Sequence, residues 1–130
     1  MASHHTDLSG EWVLNRAACT LSQGASAVRS ANLRIEHRDP LIRCSARFEF
    51  NVGLERTARE ADATPAADGS ARWEGDGLVF TDFMGEAPDL VTMTWRYEVV
   101  DGGHRLRAVE CMRGGGRDQD NVWVFDRTSA

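Results

Sequence analysis

Residues 90–100 decide the fold, and they read Leu90-Val-Thr-Met-Thr-Trp-Arg-Tyr-Glu-Val-Val100. The odd-numbered positions are apolar or aromatic, whereas the positions between them are polar or charged from Thr92 to Glu98. Such alternation is typical of a β-strand with one buried and one solvated face. Burying each apolar side chain contributes up to about 1.5–3 kcal/mol. We therefore predict a strand whose inner row includes Met93, Trp95 and Tyr97.

Further segments along the chain repeat this alternation or have the composition of short strands. They are residues 10–14, 32–37, 41–51, 54–63, 70–74, 78–84, 104–113 and 121–127. Turn signals separate them, among them Gly75-Asp76-Gly77, which is typical of a hairpin. About nine short strands without a convincing helix predict an all-β fold, an antiparallel up-and-down β-barrel of about 8–10 strands.

Length and composition limit the remaining possibilities. The chain has 130 residues, which indicates one domain, here residues 9–128 after a disordered N-terminal arm at 1–8. Residues 15–30 read as a long loop. All 15 basic residues are arginine, but they are scattered among 20 acidic ones with a net charge of −5, so no nucleic-acid partner is expected.

The cysteine pattern and the length of the apolar runs indicate in which cellular compartment the protein is expected. The three cysteines lack Cys-x-x-Cys spacing, and the first residues lack the features of a signal peptide. No run approaches the ~20 apolar residues that a membrane span requires. We therefore expect a cytoplasmic protein with reduced thiols and no membrane span, as a monomer or a homodimer.

The first strand carries a resemblance to a known family. Gly10-Glu11-Trp12, after Asp-Leu-Ser, resembles the Gly-x-Trp motif of the lipocalins and the opening of small bacterial lipocalin-like (calycin) domains. Arg127, after the last strand, is similar to the arginine that packs over this tryptophan in such barrels. The resemblance implies an up-and-down barrel with Trp12 and Arg127 at one end and a small-molecule cavity inside.

Motifs for cofactors and metals are missing from the sequence. Gly114-Gly115-Gly116 has neither the strand–helix context nor the Lys-Ser/Thr of a phosphate loop. There is no His-Glu-x-x-His, no cysteine–histidine spacing for zinc and no Gly-x-Ser-x-Gly elbow. We therefore expect no metal and no cofactor.

The predicted ligand-binding residues are those that share inward positions on the strands: Phe48, Phe50, Trp73, Phe80, Met93, Trp95, Tyr97, Met112 and Trp123. Aromatic rings with a few polar groups are typical of small-molecule pockets. A filled, dry core would use the same residues, and the sequence leaves both alternatives open.

Two acidic residues, Asp82 and Glu110, share the apolar faces of their strands. A buried carboxylate is costly unless it is paired, so each is either a structural partner or a general acid–base group. The predicted function is the binding of a small hydrophobic or aromatic molecule inside the barrel. The alternative is a cofactor-free cyclase or isomerase in natural-product biosynthesis, with Glu110 and Asp82 as catalytic residues and control by cavity shape.

Overall fold

The computed structural model describes residues 7–22, 27–38, 41–50, 55–63, 71–116 and 118–128, with residues 55–63 and Met84 described by their backbone alone. Nine strands account for most of these residues: β1 (Gly10–Leu14), β2 (Val28–Arg38), β3 (Leu41–Phe50), β4 (Glu55–Ala63), β5 (Ala71–Glu74), β6 (Gly77–Met84), β7 (Val91–Val100), β8 (Arg105–Arg113) and β9 (Gln119–Arg127). None of the helices in this part of the chain is long and apolar enough to cross a membrane.

The strands form a single antiparallel sheet in the order β4-β3-β2-β1-β9-β8-β7-β6-β5. Nearly all neighbours are also consecutive in the sequence, and β1 meets β9 through Trp12, Val13 and Leu14. The predicted all-β, up-and-down fold is confirmed. The sheet is a strongly curled half-barrel, and within the described ranges β4 and β5 form its two unpaired ends.

The segment between β1 and β2 is more ordered in its described parts than a long loop. Asn15 caps a 3₁₀ turn at Arg16–Ala18, and Thr20 then forms a bridge with Val122 on β9. Strand β2 begins at Val28, earlier than predicted. A bulge between Val28 and Ser30 interrupts the alternation of inward and outward side chains, so the sequence pattern does not reveal this start. The remainder of the predicted loop, residues 23–26, lies outside the described residues.

One end of the half-barrel is filled by a dense core. Leu8, Trp12, Ile42, Leu78 and Leu106 are essentially inaccessible to solvent. Leu8 was assigned to the N-terminal arm, yet it is fully buried and its carbonyl accepts a hydrogen bond from Nε1 of Trp12 at 3.2 Å. The barrel packing therefore begins before residue 9, and residues 1–6 of the predicted arm lie outside the described residues.

Arg127 covers Trp12 as the resemblance implies. Its guanidinium carbon lies 4.2 Å from the centroid of the indole ring. Nε donates to the carbonyl of Gly103 at 2.8 Å, and Nη1 donates to the carbonyl of Ser9 at 2.7 Å. Gly10 has a φ of +146°, and a Cβ at this position would come within 2.6 Å of Nη1. The glycine of the Gly-x-Trp motif is thus required by the close approach of Arg127.

Candidate functional site

An interior cavity of about 360 Å³ lies beside the dense core. Six strands contribute to its wall. The lining includes five of the predicted ligand-binding residues, namely Phe48, Met93, Trp95, Tyr97 and Trp123, together with Asp82. The interior therefore contains a cavity whose lining includes residues of the packed core, among them Ala108, Trp123 and Phe125.

Three inward-facing alanines leave the space that the cavity occupies. Ala108 lies on β8 between its cross-strand partners Tyr97 and Trp123. Ala31 and Ala46 line the opposite wall on β2 and β3. A methyl group beside two large rings cannot fill the depth of the barrel, and the volume between the walls stays open.

The aromatic rings of the wall have a defined arrangement. The ring of Trp95 lies 11° from parallel to that of Tyr97, with the centroids 6.0 Å apart. The ring of Trp123 is tilted by 32° from that of Trp95 at 6.5 Å. Phe48 meets Trp123 edge to face at 5.9 Å from the other side of the half-barrel. Offset and edge-to-face packing of this kind holds aromatic rings in place.

Glu110 is a buried carboxylate on the same face of β8 as Ala108, opposite Trp95 on β7. It is 8% exposed, and its Oε1 accepts hydrogen bonds from Nδ2 of Asn121 at 2.9 Å and from Nε1 of Trp123 at 3.3 Å. Both donors are neutral, an amide and an indole. Glu110 is not among the residues that line the cavity, whereas Asp82 lines it as an exposed residue.

The hydrogen bonds of Glu110 continue to the segment after β1. Oδ1 of Asn121 accepts a hydrogen bond from the backbone N–H of Ser22 at 2.6 Å, and Oγ of Ser22 lies 2.6 Å from Oε1 of Gln119. Neither Asn121 nor Ser22 is among the residues predicted from the sequence. Positions 121, 123 and 125 lie on the same inward face of β9. This alternation could have identified Asn121, which is 2% exposed.

The other predicted site residues lie away from the cavity lining. Trp73 on β5 stacks on His37 of β2 at 5.5 Å, which brings the unpaired end of the sheet against the other side of the half-barrel. Phe80 packs edge to face against Tyr97. Met112 accepts a hydrogen bond at its sulfur from Gln119, and Phe50 is partly buried against the core. These side chains support the wall or border it without lining the cavity.

A second depression of about 570 Å³ lies over β1, β2 and β3 and includes outward-facing side chains. It is larger than the interior cavity, and its lining includes Glu11, Val13, Arg34 and Arg47. Arg34 already pairs with Glu36 at 3.4 Å. The smaller interior cavity is the candidate site because several aromatic rings and a carboxylate converge there, whereas charged side chains of both signs line the outer depression.

None of the three cysteines, Cys19, Cys44 and Cys111, is among the residues that line the cavity. None of them forms a disulfide. Burial raises the pKa of the Cys19 thiol, and this outweighs the hydrogen bond from the backbone of Val124 and the charge of Arg16. A thiol with a raised pKa forms little of the reactive thiolate at neutral pH.

Among the residues whose placement is described, no three histidine, cysteine or acidic side chains are grouped so that they could hold a metal ion. No model of a known protein family matches the chain, and no curated protein has a significantly similar sequence. The proposals below therefore depend on the cavity itself.

Proposed function

We propose that the half-barrel binds a small hydrophobic or aromatic molecule in the interior cavity, in the manner of the lipocalin-like domains that its first strand resembles. A volume of about 360 Å³ lies within the range of about 300–1,000 Å³ that small-molecule pockets occupy. Three cysteines outside disulfide bonds fit a reducing compartment such as the cytoplasm.

The observation that carries the proposal is the partial burial of the aromatic wall. Trp95 and Tyr97 are only partly buried although they point into the sheet's concave face, and Phe48 opposite them is partly buried as well. A ligand between these rings would remove further apolar surface from water, at about 25 cal/mol for each Å². Strand β7 would thus supply both the core of the fold and the ligand contacts.

Tryptophan fluorescence tests this proposal directly, because Trp95 and Trp123 both line the cavity. Titration with hydrophobic aromatic probes should change the emission in a saturable way with one site per chain. Phe48→Ala should weaken binding about tenfold by removing one wall. The matched control is Phe83→Ala, since Phe83 is 60% exposed and is absent from the lining. Equal affinities in both variants, or no saturation, would count against the cavity.

One observation favours the alternative of a cofactor-free cyclase or isomerase: the carboxylate of Asp82 lines the cavity. A carboxylate beside an apolar ligand can transfer a proton while the walls fix the ligand's conformation. Glu110 would act through Trp123 because it does not line the cavity. An Asp82→Asn variant that binds a substrate as tightly as the wild type but no longer converts it would support catalysis.

A further inference from the structure

The cavity combines π-faces with negative charge. Trp95, Tyr97 and Trp123 contribute rings to one wall, and Asp82 contributes a carboxylate to the same lining. Of the lining residues that the structure describes, none is an arginine or a histidine. The face of an aromatic ring carries negative electrostatic potential. Among the side chains of Trp, Tyr and Phe, the indole of Trp attracts a cation most strongly.

The hydrogen bond from Trp123 to Glu110 adds to this preference. Nε1–H of Trp123 already donates to Oε1 of Glu110, so the indole offers its ring and not its donor to the cavity. A carboxylate that accepts this hydrogen bond polarises the indole and makes its ring face more negative.

We propose that the preferred ligand is an organic cation, a hydrophobic amine or quaternary ammonium compound whose charged group lies against Trp123 and Trp95 and is attracted by Asp82. This rests on the proposed small-molecule binding and names the chemical class of the ligand. Indole faces with a nearby carboxylate recognise such groups because the cation gains attraction without having to donate a hydrogen bond. An anion would meet repulsion from Asp82 and from the negative faces of the aromatic rings.

A pair of probes with nearly the same shape separates charge from hydrophobicity. Phenyltrimethylammonium and tert-butylbenzene differ by the replacement of a cationic nitrogen with carbon. We expect the full-length protein to bind the cation about tenfold more tightly in a fluorescence or calorimetric titration, which is the ratio that cation–π attraction in a partly desolvated site gives.

Two variants test whether Asp82 and Trp123 cause the preference for the cation. Asp82→Asn should weaken binding of the cation about fivefold and leave tert-butylbenzene unchanged, because only the charged probe interacts with the carboxylate. Trp123→Leu should reduce the affinity for the cation about tenfold and that for the neutral probe less. Asp76→Asn is the matched control, since it removes the same charge from an exposed turn outside the cavity lining.

The outcomes distinguish this inference from the proposed function. If tert-butylbenzene binds as tightly as the cation, or more tightly, the cavity is a general hydrophobic site and the inference is overturned while the proposed function stands. If neither probe binds, both fail. Loss of cation binding in Asp76→Asn as large as in Asp82→Asn would place the charge effect outside the cavity and would also overturn the inference.

Discussion

Trp123 and Glu110 are joined by a hydrogen bond from the indole Nε1 to the carboxylate Oε1 over 3.3 Å. Asn121 donates to the same oxygen, and the backbone N–H of Ser22 donates in turn to Asn121. The ring that lines the cavity is therefore connected through two buried side chains to the segment after β1. The orientation of this ring depends on residues that a ligand does not touch.

Removing the acceptor of Glu110 should destabilise the protein. In Glu110→Ala the Nε1–H of Trp123 and the amide of Asn121 lose their partner in a buried place, which costs about 1–3 kcal/mol for an unsatisfied buried donor. Glu110→Gln keeps an acceptor oxygen of similar reach and should lose less. Urea unfolding followed by circular dichroism measures the difference.

The control for Glu110 is Glu11→Ala, because the Glu11 residue is exposed on β1 and its loss should change stability by less than about 0.5 kcal/mol. The emission spectrum of the folded Glu110→Ala protein should also change, since Trp123 loses a hydrogen bond. If all three variants unfold at the same urea concentration with unchanged emission, the hydrogen bonds of Glu110 do not stabilise the wall.

Gly10→Ala should be strongly destabilising for two reasons that add. The φ of +146° is one that residues with a Cβ rarely adopt, and the new methyl group would lie 2.6 Å from Nη1 of Arg127. Strain of this kind costs about 1–3 kcal/mol. Movement of Arg127 would in addition weaken its hydrogen bonds to Ser9 and Gly103. Thermal or urea unfolding provides the measurement.

Gly75→Ala is a reference for the cost of a positive φ without a steric contact. Gly75 also has a positive φ, +62°, but nothing lies within 4 Å of a Cβ built on it. Its substitution should cost only about 1 kcal/mol, from backbone conformation alone. A loss in Gly10→Ala no greater than in Gly75→Ala would mean that Arg127 moves away freely and does not fix this end of the half-barrel.

The strands could be predicted from sequence because burial of one face imposes period two over most of them. In β7 the alternation extends from Val91 to Val99, and its pairing with β8 places Trp95 opposite Glu110. The start of β2 was missed where a bulge after Val28 shifts the register. The curl of the sheet depends on contacts between distant residues, such as His37 with Trp73, that no local pattern encodes.

The site was predicted less completely than the fold. Inward-facing positions select Phe48, Trp95 and Trp123, which line the cavity, but they also select Phe50 and Trp73, which do not. Their role in ligand binding stays a prediction. The odd or even position of a residue along a strand shows which face of the sheet its side chain is on. It does not show how far along the barrel a cavity opens. The small inward residues, among them Ala108, carried that information, because a cavity opens where the wall has methyl groups.

The outer face offers a test of pH dependence at Glu98. Its carboxylate accepts hydrogen bonds from Arg96 and, at 3.4 Å, from Arg107. The hydrogen bond from Arg96 lowers the pKa of Glu98 below its ordinary 4.5, against a rise from burial, and the charges of both arginines lower it further. Because the folded-state pKa is depressed, this stabilisation is present above about pH 4.5 and is lost as the pH falls through the lowered value.

Glu98→Gln should accordingly cost about 0.5–1 kcal/mol at pH 7, the size expected for a partly exposed ion-pair cluster. The difference from the wild type should shrink towards zero in acid and should also fall in 1 M salt. Urea midpoints measured from pH 7 to pH 2 test this, with Asp76→Asn as a charge-matched control. A cost that stays constant with pH would show that Glu98 stabilises the sheet by packing rather than by charge.

Filling the cavity is the sharpest test of its existence. Ala108→Leu adds three carbon atoms between Tyr97 and Trp123, at a position that is 1% exposed and lines the cavity. In a packed core such overfilling costs about 1–3 kcal/mol. Here the added atoms enter open space, so stability should change by less than about 1 kcal/mol while the affinity for an aromatic probe falls at least tenfold.

Ala71→Leu is the matched control for Ala108→Leu. Ala71 on β5 is also buried, at 6% exposure, but it does not line the cavity. Its enlargement should cost the full overpacking penalty and leave probe affinity nearly unchanged, the reverse of the result at Ala108. Equal destabilisation by both substitutions would mean that the space between Tyr97 and Trp123 is closed in solution, and ligand binding there would have to be abandoned.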